Sequence, residues 1–119
     1  MFRTRSVPGR PTSAAVTVVV EGEIDLGEAG AFRDAIVDCL EPSRDLVVLD
    51  LTDVDYFGSA GVRELLDARR QLAGQGVDLC VDDTSDIVER VLTLTNVREH
   101  LPRSSAVLDL RRSDPDSPS

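Results

Sequence analysis

The sequence predicts an α/β domain built on a mostly parallel sheet. Short runs rich in Val and Leu alternate with longer segments whose apolar residues recur at three- and four-residue spacing, the pattern of strands joined by amphipathic crossover helices. The central run, residues 46–51, is apolar at every position but Asp50, as suits a strand buried on both faces. A chain of 119 residues can bury one hydrophobic core but not two, so all these segments belong to one fold.

Residues 1–13 form an N-terminal segment and a candidate edge strand, in which Phe2, Thr4 and Ser6 alternate with Arg3, Arg5 and Val7 before Pro8, Gly9 and Pro11 force a turn. The folded domain is expected over residues 14–110. From Ala14, the residues Val16, Val18, Val20 and Ile24 point one way and Thr17, Val19, Glu21, Glu23 and Asp25 the other, a strand with one polar face. After the break at Leu26 and Gly27, Phe32, Ile36, Cys39 and Leu40 share a helical face, closed by Pro42 and Ser43.

The central strand over residues 46–51 leads to a turn over residues 56–61. A helix is expected from Val62, with Val62, Leu65, Leu66, Ala68, Arg69 and Leu72 recurring on its inner side and Arg63, Glu64, Asp67 and Arg70 outside. Gly74 and Gly76 end it. Residues 77–81 read as the next strand. Asp82, Asp83, Thr84, Ser85 and Asp86 crowd the start of a third helix, where acidic and hydroxyl side chains satisfy unpaired N–H groups. Its inner face is Ile87, Val88, Val91, Leu92 and Thr95, with Asn96 at its end. Residues 106–110 read as a last strand, and residues 111–119, polar and broken by proline, as a disordered tail.

The net charge of −9 argues against a nucleic-acid or anionic-membrane binder, because such binders need a basic face to displace counterions. A protein partner fits better. All thirteen basic residues are Arg, which excludes lysine Schiff-base chemistry and a P-loop lysine. Cys39 and Cys80 fall on predicted buried faces and are expected to be reduced thiols. With no apolar run of spanning length and no apolar leader segment, the chain is expected to be cytoplasmic. Asp82, Asp83 and Asp86 lack the ligand spacing of a hard-cation loop, and no metal or cofactor is expected.

In parallel sheets, the loops leaving the carboxyl ends of the strands gather at one end and meet ligands there. Those loops run over residues 22–27, 56–61 and 82–86, and they converge on Ser59. A serine at a strand-to-helix junction has several readings: a helix N-cap, a phosphate acceptor, or a nucleophile. The order Ser59, acid, His100 is that of an α/β-hydrolase triad. The nucleophile elbow, however, requires Gly two residues before the serine, where this chain has Phe57.

Residues 22–26 (Gly-Glu-Ile-Asp-Leu), 48–51 (Val-Leu-Asp-Leu), 54–62 (Val-Asp-Tyr-Phe-Gly-Ser-Ala-Gly-Val) and 88–95 (Val-Glu-Arg-Val-Leu-Thr-Leu-Thr) together resemble the successive signatures of STAS domains, specifically bacterial anti-sigma factor antagonists. The resemblance implies a mixed sheet of four to five strands with three or more helices packed against it. It also implies binding of an anti-sigma factor, commonly a serine kinase, by the unphosphorylated protein. A sigma factor is thereby freed, phosphorylation ends the binding, and a serine phosphatase restores it. The phosphoacceptor position falls on Ser59, with Gly58 in place of the family's Asp and Ala60 in place of a second serine. The partner-binding residues it implies are Asp25, Gly58, Ser59, Ala60, Gly61 and Val62. A second implication is a scaffold within a larger signalling assembly that works without phosphorylation.

Overall fold

The computed structural model describes residues 1–112. Its single sheet has the strand order β1-β2-β3-β4, formed by β1 (Phe2–Pro8), β2 (Ala15–Ile24), β3 (Leu46–Phe57) and β4 (Asp78–Thr84). β1 pairs antiparallel with β2, while β2, β3 and β4 are parallel. The N-terminal segment is therefore the edge strand its alternation predicts. The helices are α1 (Ala29–Asp38), α2 (Ser59–Ala73), α3 (Asp86–Leu94) and α4 (Ser104–Arg112), with a single 3-10 turn at Arg98–His100.

One face of the sheet carries the main core. Val16, Val18 and Val20 of β2, Val47, Leu49 and Leu51 of β3, and Leu79 and Val81 of β4 meet Phe32 and Ile36 of α1, Val62, Leu65, Ala68 and Leu72 of α2, and Val88 and Leu92 of α3. The period-2 and period-3.6 patterns meet here as the sequence predicts. The chain's three phenylalanines form an edge-to-face stack, Phe2 to Phe32 at 6.0 Å and Phe32 to Phe57 at 5.9 Å between centroids. That stack ties β1 and α1 to the end of β3.

Two expectations are corrected. The central strand does not stop at Leu51 but runs to Phe57, and α2 starts at Ser59 instead of Val62. The polar stretch from Thr52 to Asp55 stays extended because β2 gives it a ladder partner, with Glu21 opposite Asp53 and Ile24 opposite Phe57 across two register shifts. Gly22 lies within this irregular stretch with φ +107°, and a Cβ there would collide with the Met1 carbonyl oxygen.

The second correction concerns residues 106–110, which belong to α4 and not to a strand. The open edge of β4 is already taken: the Val81 N–H donates to the Pro102 carbonyl at 3.1 Å, and Arg98 donates to the Val81 carbonyl at 2.9 Å. Denied that edge, the segment coils and lays Val107 and Leu108 over Ala15, Leu46, Val48 and Cys80 on the reverse face of the sheet. Asp82 accepts from both the backbone N–H and the hydroxyl of Ser104 at 2.6 Å, and Arg111 reaches Asp45 at 3.1 Å and Asp78 at 2.9 Å. Arg111 and Arg112 thus end a helix; the rest of the expected disordered tail, residues 113–119, lies outside the described residues.

Candidate functional site

The parallel strands β2, β3 and β4 release their loops at one end of the sheet, and the middle loop is a single residue. Only Gly58 separates β3 from α2. Phe57, 2 % exposed, anchors the end of the strand. Gly58 then takes an extended conformation (φ −107°, ψ −173°) that any residue can adopt, and serves as the N-cap. The α2 start sits tight on the core: a Cβ on Gly61 would lie 2.8 Å from the Phe57 ring.

Ser59 is the first residue of α2, and its side chain is exposed. It is not the cap. Gly58 supplies no capping side chain, and the first turn holds no acidic residue. The first hydrogen bond of the helix runs from the Val62 N–H to the Gly58 carbonyl at 3.2 Å, so the N–H groups of Ser59, Ala60 and Gly61 have no acceptor within the helix. The arrangement leaves a hydroxyl at the positive end of a helix dipole whose own first turn supplies no negative charge.

The register brings Asp25 alongside. Ile24 pairs with Phe57, so the next residue of each chain, Asp25 and Gly58, leave the sheet together. Asp25 is exposed, and its carboxylate accepts from the Glu28 N–H at 3.0 Å, shaping the turn into α1. Gly58 and Ala60 are half-buried. Val62 is 6 % exposed and Gly61 is buried, so the Val62 side chain belongs to the core instead of the surface. Its place in the 3.6-residue pattern with Leu65 already pointed inward.

Tyr56 has no role in the sequence reading, and the structure gives it a place in the site. Its ring leans over Gly58, so that a side chain at Gly58 would begin 3.3 Å from the phenol oxygen. Tyr56 is 49 % exposed, and Leu26, on the neighbouring loop, is 80 % exposed. The signal in the sequence was the missing side chain at Gly58, which leaves room for an aromatic two residues earlier.

The remaining candidates fall elsewhere. His100 lies in the 3-10 turn beside Arg69, Ala73, Val77 and Asp78, at the far end of α2, and pairs with Glu99 at 3.5 Å. Ten residues of helix between Ser59 and Arg69 span ~15 Å, which takes His100 out of reach of Ser59 and removes the triad. Asp82 and Asp83 belong to β4 instead of a helix start, and Asp82 caps α4. Cys39 and Cys80 are free thiols; burial pushes Cys39 up to about 11 and Cys80 up to about 12, so both stay protonated at neutral pH. No helix among the described residues is long and apolar enough to cross a membrane.

The STAS domain family profile matches residues 7–109, nearly the whole described chain. The chain belongs to the STAS domain family. A curated relative, the anti-sigma-F factor antagonist RsfB of Mycobacterium tuberculosis, is 31% identical over 93 residues, covering 71% of this chain and 75% of the relative. Among solved structures, an anti-sigma factor antagonist from Mycobacterium paratuberculosis superposes with a TM-score of 0.75 at 25% identity, over 95% of this chain and 96% of that one. The anti-sigma factor antagonist SpoIIAA in its unphosphorylated form has the same fold, with a TM-score of 0.67 at 16% identity over 94% of this chain and 96% of that one. The mixed sheet expected from the resemblance is thus the STAS sheet, with four strands.

Proposed function

We propose that this protein is an anti-sigma factor antagonist, a binding regulator and not an enzyme, whose partner surface is the loop end of the sheet around Ser59. Asp25, Gly58, Ser59, Ala60 and the backbone of Gly61 form its centre, with Leu26 and Tyr56 as apolar contacts at its rim. In the unmodified state it binds an anti-sigma factor, which in this reading is also a serine kinase, and so frees a sigma factor. The kinase transfers the terminal phosphoryl group of a nucleoside triphosphate to the Ser59 oxygen: the O–P bond to serine forms, the bond to the bridging oxygen breaks, the nucleoside diphosphate leaves, and the hydroxyl gives up its proton. A serine phosphatase reverses the modification.

The observation that carries this reading is the exposed hydroxyl of Ser59 at the uncapped first turn of α2. Three N–H groups without helical acceptors and the dipole accommodate a phosphate on the protein's own surface, so the fold survives the modification. A partner seated over the same turn must instead bury an uncompensated dianion, at about 3–5 kcal/mol or roughly two to four decades of affinity. The names of RsfB and of the M. paratuberculosis protein support the choice of partner class.

Titration calorimetry against the anti-sigma factor encoded in the same genome tests the proposal. Ser59→Ala is expected to bind like the wild type and to resist phosphorylation, and Ser59→Asp to bind at least tenfold more weakly, a carboxylate carrying less charge than phosphate. Equal affinities for wild type and Ser59→Asp would remove the switch.

A further inference from the structure

Arg63 follows Ser59 by four residues in α2. Residues four apart on a helix are neighbours, with Cβ atoms about 5–6 Å from each other. Side chains tilt toward the helix N-terminus, so Arg63 leans back toward Ser59. Both are exposed. Glu64, Asp67 and Arg70 of this helix are engaged, whereas Arg69, two turns further on, is like Arg63 without an ion pair among the described residues. Arg33 of α1 donates to Glu64 at 2.9 Å and to Asp67 at 3.4 Å, and Asp67 also accepts from Gln71 at 3.0 Å and lies 4.0 Å from Arg70. Among the described residues, Arg63 has no carboxylate within ion-pair distance. What sets Arg63 apart from the chain's other unpaired arginines is its place, exposed and one turn from the modifiable hydroxyl.

We propose that Arg63 is the internal receptor for the phosphoryl group on Ser59, an inference that rests on the reading of Ser59 as the phosphoacceptor. An acid placed four residues before a base is the favourable orientation for a helical ion pair. The planar guanidinium fork matches phosphate oxygens in a bidentate contact, which a lysine in its place would make only as a point charge. In the unmodified protein Arg63 projects into solvent at the partner-facing end of α2. Once Ser59 is phosphorylated, it folds back onto the phosphate. The modification therefore changes two charges on the docking surface together: it adds a dianion and withdraws a cation. The pairing also holds the phosphoserine side chain against α2 and limits its rotation into a partner's reach.

Phosphoserine placed at position 59 by genetic-code expansion allows a test with neither kinase nor partner present, by following the phosphorus-31 NMR shift against pH. A phosphate monoester ordinarily loses its second proton near pH 6. A neighbouring cation favours the dianion, so this ionisation is expected to rise by about half a pH unit in Arg63→Gln, and by less in Arg63→Lys. Arg70→Gln, which lies further along the same helix, is expected to leave it unmoved. The same ionisation in wild type and Arg63→Gln, or an equal rise in Arg70→Gln, overturns the contact. Failure of the switch itself would register differently, as an unchanged affinity of the phosphorylated protein for the anti-sigma factor.

Discussion

Two helices leave the same end of the sheet, α2 from β3 and α3 from β4, and each has a serine at its start. At α3, Ser85 is the N-cap: its hydroxyl accepts from the Val88 N–H at 3.4 Å and donates to the Val54 carbonyl at 2.6 Å. Its own N–H donates to the Leu51 carbonyl at 3.1 Å, and Asp86 and Glu89 add negative charge to the first turn. Every device that satisfies a helix start is in place there. At α2 the cap is a glycine, the first turn has no acid, and the serine sits one position further in with its hydroxyl exposed. One serine is used up in holding the structure together, while the other is left available for chemistry. A site of modification has to be a group the fold does not need, and among these two serines only Ser59 meets that condition.

The largest effect expected from breaking this asymmetry is at Ser85. Ser85→Ala removes the cap of α3 and a partner of the Val54 carbonyl, and it should lower stability by about 2 kcal/mol in chemical denaturation. A loss below half of that would show that α3 does not depend on its cap. A smaller effect of opposite sign follows from giving α2 what it lacks. Gly58→Asp supplies a capping carboxylate and should raise stability by about 0.3–1 kcal/mol, after the exposed Tyr56 ring moves aside from a Cβ only 3.3 Å from its oxygen. Tyr56 is the sole tyrosine in a chain without tryptophan, so its emission reports that displacement directly. An unaltered tyrosine spectrum in Gly58→Asp would contradict the stacking of Tyr56 over the glycine. The smallest effect is expected at Ser59, where Ser59→Ala should change thermal stability by less than about 0.5 kcal/mol. A larger loss would mean that the fold uses the hydroxyl after all, and the contrast between the two serines would narrow.

Much of this architecture was legible in the chain because burial leaves a periodic trace. Residues 46–51 announced the central strand by apolar content alone, and Leu65, Leu66, Ala68 and Leu72 marked the helix behind it. The expectations that failed lie where a side chain's neighbours come from distant segments. Residues 52–55, largely polar, show no continuation of the strand until β2 is placed beside them. Residues 106–110 are short and mostly apolar like a strand, yet the edge they would join is occupied by the turn around Pro102, and Asp82, 22 residues away in the sequence, starts the helix instead. Gly58 marks room for the Tyr56 ring, but only the folded turn shows the ring placed over it.

The sequence by itself determined the α/β class and the order of the elements from β2 to α3, because each follows from local periodicity and the handedness of crossovers. Only the tertiary structure decided that Ser85 is a cap and Ser59 is not, and that His100 sits at the wrong end of α2. Those outcomes turn on hydrogen-bond partners and distances between segments far apart in the chain, which a one-dimensional pattern does not encode.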